Sequence, residues 1–241
     1  MKSQTIKVPI LMYHNVLSVE EAMKTSHKGL IVLSYQFFLQ MMCLHSLGYK
    51  TITFPQLVKA INTNETIPKN SIIVTFDDGY EGLYRYALPI LKRFHFTATI
   101  FLVAEDFLGI TPIAPRAYPI LTGLQVVELL QNGFSIGSHS YTHSLLTQLN
   151  EEQSTHEIVD SKVYLEEEFQ TSINSFAYPM GKYNELIISE VRSSGYACAL
   201  STNFGRTHGE SEIYCLSRIS VGLEQNLPLF LLRFFYIHEE K

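Results

Sequence analysis

The sequence predicts an α/β protein, a distorted (β/α)7-type barrel, running as one domain over residues 1–241. Three observations predict it. Short β-rich runs alternate with amphipathic stretches along the chain, the pattern of parallel strands joined by helices. Ser71 to Phe76 reads as an apolar strand with a β-branched centre, Ile72-Ile73-Val74, suited to burial on both faces of a parallel sheet. His14, Asp77, Asp78, His139 and His143 each come at or just after the end of a predicted strand. In a (β/α) barrel the strand ends share one rim, where active-site groups collect.

The elements follow in order. Val8 to Tyr13 is the first strand. A helix is expected from Tyr35 to Leu47, with Ser34 as N-cap and Gly48 as stop. Thr51 to Phe54 reads as a strand, and Pro55 opens the next helix. After Ser71–Phe76 a helix runs to about Phe94, and Thr97 to Val103 is the next strand. Residues 104–121 are a Pro- and Gly-bearing loop. Thr122 caps a helix to Gln131, which Gly133 ends, and Phe134 to Ser138 is a strand. Glu151 to Phe169 is a long helix whose Glu166-Glu167-Glu168 run reads as a solvated face. Strand Ser175–Tyr178, helix Asn184–Ser194, strands Tyr196–Leu200 and Arg218–Val221, and helix Leu227–Tyr236 complete the chain.

Composition narrows the function classes. A chain of 241 residues, 46% hydrophobic and 17% charged, has material for a sizeable core, burying about 70–75% of its unfolded surface. Eighteen Lys+Arg against 23 Asp+Glu give a formal charge of -5, and no basic run offers a nucleic-acid footprint. Cys43, Cys198 and Cys215 are odd in number, lack CxxC spacing and read as core thiols. No run of 18 apolar residues predicts a membrane span. The N-terminal residues as given lack a secretory signal, so the compartment stays open: cytoplasmic as written, extracytoplasmic if a leader was trimmed.

Two motifs carry chemistry. Thr75-Phe76-Asp77-Asp78-Gly79 sets two carboxylates side by side at a strand end. Their charges repel unless a cation or hydrogen-bond donors give them separate roles, one a metal ligand and one a general base; the bland alternative is an acidic turn capping a helix. His139-Ser140-Tyr141-Thr142-His143 places two imidazoles four apart. Two imidazoles and a carboxylate form a metal set with coordination positions left open, whereas alone the pair could be unrelated surface histidines.

Together the two motifs resemble those of the NodB-homology domain, the polysaccharide deacetylases of carbohydrate esterase family 4. Tyr80, Tyr84, Ala87, Pro89, Leu91 and Ala98-Thr99-Ile100-Phe101 fit the same pattern, and Phe176-Ala177-Tyr178-Pro179-Met180-Gly181 resembles the family's third motif. Pro9-Ile10-Leu11-Met12-Tyr13-His14 is similar to the circularly permuted branch that contains poly-β-1,6-N-acetylglucosamine deacetylases, in which this first strand replaces a C-terminal Leu-x-His motif. Ile237-His238 is no convincing substitute for that motif.

The resemblance implies a metal-dependent hydrolase that removes N-acetyl groups from an N-acetylglucosamine-containing glycan and releases acetate. It implies one divalent metal, zinc first among the candidates, on Asp78, His139 and His143. Asp77 becomes the general base, His14 the general acid, and the Met180 N–H an oxyanion donor, with Tyr178 beside it as an oxyanion or substrate contact. The sequence departs from the family at Ala177, where an Arg that orients the base usually stands; Arg218 is the candidate replacement. Met180 replaces a common aromatic, and the fourth motif is not recognisable. Two other readings stay open: a deacylase acting on a small or lipid-linked amino sugar, and a non-catalytic glycan-binding module.

Overall fold

A computed structural model describes residues 5–25, 28–109 and 118–235. Ser71–Phe76 forms over the residues expected and is buried at every position. It lies inside a parallel sheet whose order is Cys198–Leu200, Ser175–Ala177, Ser135–Ser138, Thr99–Leu102, Ser71–Phe76, Ile10–Tyr13 and Ile219–Ser220. The strands neighbour one another in chain order, except that the last lies beside the first. The sheet therefore curls. Leu216 bridges Leu200 on the far edge, and the Arg218 N–H donates to Asn203 O at 2.8 Å, before Ile219–Ser220 joins the near edge. This is the expected distorted (β/α) barrel.

Alternation along the strands builds two packed layers. Leu11, Tyr13, Val74, Phe76, Ile100, Leu102 and Phe176 belong to the larger cluster, with the helices. Ile10, Ile73, Phe101, Ala177, Cys198 and Leu200 belong to a second cluster, which the helix Phe54–Thr63 joins through Phe54, Leu57, Ala60 and Ile61. Inside the curl space is tight. A Cβ on Gly137 would lie 2.5 Å from the Phe101 ring and 2.7 Å from Ser175 Oγ. Only glycine fits without displacing that ring.

Most element ends differ from expectation by one to three residues, where the terminal residues fall outside the hydrogen-bonded ladder. The first strand is Ile10–Tyr13, and Thr99–Leu102, Ser175–Ala177, Cys198–Leu200 and Ile219–Ser220 are also shorter than expected. Ser34 is the first helical residue rather than the cap. Leu33 holds the N-cap position, and the Gln36 side chain accepts the Leu33 N–H at 3.3 Å. Phe54 is helical: the strand there is Lys50–Thr51, and Thr53 forms a capping box with Gln56. The long helix is interrupted by a π-helical turn, His156–Asp160, between Glu151–Thr155 and Ser161–Phe169. Glu166 is not purely solvated: it accepts from Lys162 at 2.6 Å and from the Ile173 N–H at 2.9 Å.

Of the loop expected at 104–121, Ala104–Phe107 forms a 3-10 turn, while 110–117 lie outside the described residues. The closing helix is Leu227–Phe235; Tyr236 and Ile237-His238 also lie outside them. Cys198 is buried, and Cys43 and Cys215 are half-buried. No described helix is long and apolar enough to cross a membrane.

Candidate metal centre

The neighbouring strands Ile10–Tyr13 and Ser71–Phe76 bring His14 and Asp77 side by side. Tyr13 pairs with Phe76 in register, and the Asp77 N–H donates to Tyr13 O at 2.9 Å, so the two residues that follow leave neighbouring strands together. Beyond Asp77 the chain turns sharply. Asp78 (φ 68) and Gly79 (φ 66) are both left-handed. Such a backbone costs a non-glycine residue on the order of 1–3 kcal/mol and persists where its surroundings enforce it. Ser140 (φ 67), His143 (φ 66) and Met180 (φ 55) share the feature, so four of the eight described non-glycine residues with positive φ gather at this rim.

Asp78, His139 and His143 converge. Their ligand atoms all lie within 4.8 Å of one another. Asp78 Oδ1 is 3.5 Å from His139 Nε2 and 3.4 Å from His143 Nε2. Those gaps are long for charge-assisted hydrogen bonds, which run about 2.7–2.9 Å. They match ligands held about 2.1 Å from a tetrahedral ion, which stand about 3.4 Å apart. The tautomer fits too. His139 Nδ1 lies 2.7 Å from Ala177 O. A carbonyl oxygen only accepts, so Nδ1 carries the proton and Nε2 turns its lone pair to the cluster. Ala177, which lacks the expected Arg side chain, thus serves through its backbone, and residue identity gives no sign of that. Asp78 and His139 are buried and His143 is half-buried, leaving the centre open on one side.

Asp77 is set apart from the cluster. Arg218 grips it with a fork, Nη1 to Oδ1 and Nη2 to Oδ2, both at 2.8 Å. The guanidinium is held in turn: Nε donates to Ser201 O at 2.9 Å and Nη1 to Thr75 Oγ1 at 3.3 Å. Burial by itself would raise the Asp77 carboxyl. Arg218, helped by His139 and His14, outweighs burial and brings it down to about 2. Two adjacent carboxylates therefore have different partners, a guanidinium for Asp77 and two imidazoles for Asp78.

The sequence profile of the polysaccharide deacetylases matches residues 64–199. The chain belongs to the polysaccharide deacetylase family. YxkH of Bacillus subtilis is 31% identical to this deacetylase over 215 residues, 89% of this chain and 71% of that protein. The poly-β-1,6-N-acetyl-D-glucosamine N-deacetylase of Staphylococcus epidermidis is 24% identical over 203 residues, covering 80% of this chain and 69% of that protein. Among solved structures, the Streptococcus pyogenes deacetylase PplD in complex with acetate has a TM-score of 0.83 at 28% identity, covering 95% of this chain and 99% of that one. IcaB from Ammonifex degensii shares the fold, with a TM-score of 0.76 at 21% identity over 89% of this chain and 91% of that one. The family's metal dependence agrees with the Asp-His-His cluster.

The Tyr178 side chain, expected as an oxyanion or substrate contact, lies in the core. It is fully buried, stacks on Tyr183 at 5.0 Å and donates its hydroxyl to Tyr214 O at 2.8 Å. Its position at the end of an inward-packing strand makes it core. Tyr80 is buried as well, while Tyr141 is half-buried. Met180 is exposed at 60% in the Pro179–Gly181 turn.

Proposed function

We propose that this deacetylase hydrolyses the N-acetyl groups of N-acetylglucosamine residues in a glycan, releasing acetate and leaving the free amine. The observation that carries the reading is the division of labour at Asp77-Asp78, one carboxylate facing an imidazole pair and its neighbour clamped by Arg218. The donor set, two imidazole nitrogens each 3.4–3.5 Å from one carboxylate oxygen, fits a divalent ion, and zinc is the ion of choice for it. When bound, such an ion polarises an amide carbonyl and acidifies a water.

The chain's own residues do the rest. Asp77, held ionised by Arg218, accepts the proton of the attacking water. The Met180 N–H donates to the developing oxyanion. His14, at the end of the strand beside that of Asp77, delivers a proton to the departing amine. The glycan class is supported by the named activity of the Staphylococcus epidermidis relative, and the acetyl product by the acetate in the PplD complex.

The test is acetate release from β-1,6-linked N-acetylglucosamine oligomers and chitooligosaccharides of increasing length. A chelator should abolish release and added zinc restore it, with rates rising with length. Turnover that survives exhaustive chelation would refute the metal assignment. Rates flat with length would move the substrate to a small amino sugar.

A further inference from the structure

The turn that carries His143 has its backbone donors satisfied almost entirely by side chains. The Ser140 N–H donates to Ser138 Oγ at 3.2 Å, and the His143 N–H to Ser140 Oγ at 3.0 Å. Both acceptors are local. The two donors between them, the N–H groups of Tyr141 and Thr142, converge at 3.0 and 2.9 Å on a single oxygen of Glu157, a residue 15 positions beyond Thr142. The Thr142 hydroxyl donates to the other oxygen.

Glu157 is 4% exposed and sits in the π-helical turn His156–Asp160. π-turns inside helices often occur at functional positions. His156, next to it, packs its ring on Tyr141 at 4.4 Å. Burying a carboxylate costs several kcal/mol unless its partners are well placed, and here three donors from one short turn supply them. An apolar side chain on this helix face would pack as well, yet it would leave two inward N–H groups without acceptors.

We propose that Glu157 is a positioning residue, a remote anchor that fixes the turn between His139 and His143 and thereby sets how tightly the site binds a divalent ion. The inference rests on the proposed function and adds to it a residue outside both motifs. A turn with left-handed residues at Ser140 and His143 does not keep that shape unaided, because each left-handed residue is strained. Removing the anchor frees the turn to relax and carries His143 Nε2 away from Asp78.

The experiment titrates metal-free protein with zinc against a colorimetric chelator, with thermal melting of each variant recorded in parallel. Glu157→Gln keeps the volume, but a single neutral oxygen replaces the charged one that accepts both N–H groups, and its NH2 group meets the Thr142 hydroxyl that donated there. It should weaken zinc binding about 10–100-fold, the usual effect of losing a group that orients metal ligands. Thr142→Val removes one of the three contacts and should weaken binding several-fold, a result that also serves if Glu157→Gln does not fold. Glu166→Gln is the comparator. That carboxylate lies on the same helix and holds the Ile173 N–H, away from the turn, so its loss should lower the melting temperature and leave zinc affinity unchanged. Wild-type affinity in both Glu157→Gln and Thr142→Val, or equal weakening by Glu157→Gln and Glu166→Gln, would overturn the positioning role. Absence of zinc binding by the wild-type protein would instead bring down the proposed function, and the anchor with it.

Discussion

Asp77→Asn should lower kcat for acetate release about 10²–10⁴-fold, the contribution typical of a general base, with KM and bound metal close to wild type. The substitution is isosteric. The amide oxygen it introduces can still accept from Arg218 Nη1, and the Asp78, His139 and His143 side chains are untouched. What is lost is the acceptor for the water proton. Arg218 holds the Asp77 carboxyl below the usual carboxylate range, so it is already ionised when the water must give up its proton. Steady-state kinetics with metal analysis on the same sample checks the result. A variant that lost its metal along with its turnover would show Asp77 to be part of the ion's own cage.

Arg218→Ala should destabilise the protein by about 3–5 kcal/mol and lower turnover as well. The Arg218 side chain is wholly buried and that of Asp77 is 3% exposed, so removing the guanidinium strands a carboxylate with no counter-charge. Ser201 O loses the Nε–H donor at the same time. For a chain of this size the melting temperature should fall by roughly 10 °C. Arg218→Lys keeps the charge but cannot form the fork, and should lie between wild type and Ala in both stability and rate. A double-mutant cycle with Asp77→Asn isolates the pair. Much of the Arg218→Ala penalty should disappear when Asp77 is already replaced by a neutral side chain, because no stranded charge remains. Strictly additive losses would show that Arg218 acts through its other contacts.

Much of this site was legible because its groups are short-range features. Asp77-Asp78-Gly79 and His139 through His143 each follow a strand directly, and strand ends in a parallel barrel share one rim. Thr122 to Gln131 was equally clear, since its capping box with Gln125 is local. What escaped depends on distance or on the backbone. Arg218 meets Asp77 across 141 residues, so position alone offered it only as a candidate. The acceptor for His139 is a carbonyl, which any residue has. Tyr178 looked available beside the third motif, but strand alternation turns it into the core. Glu157 did leave a trace. Ser154, Glu157, Ile158, Ser161, Leu165 and Phe169 form the buried stripe of the long helix, and a glutamate on such a stripe calls for a partner. The many other glutamates of that helix, which suit a solvated face, mask it.

The most direct measurement is native mass spectrometry of the zinc-loaded protein beside its His139→Ala, His143→Ala and His14→Ala variants. The account predicts one zinc per chain in the wild type and in His14→Ala, and loss of zinc from the other two. An ion retained in both His139→Ala and His143→Ala, or no ion in the wild type, would contradict it.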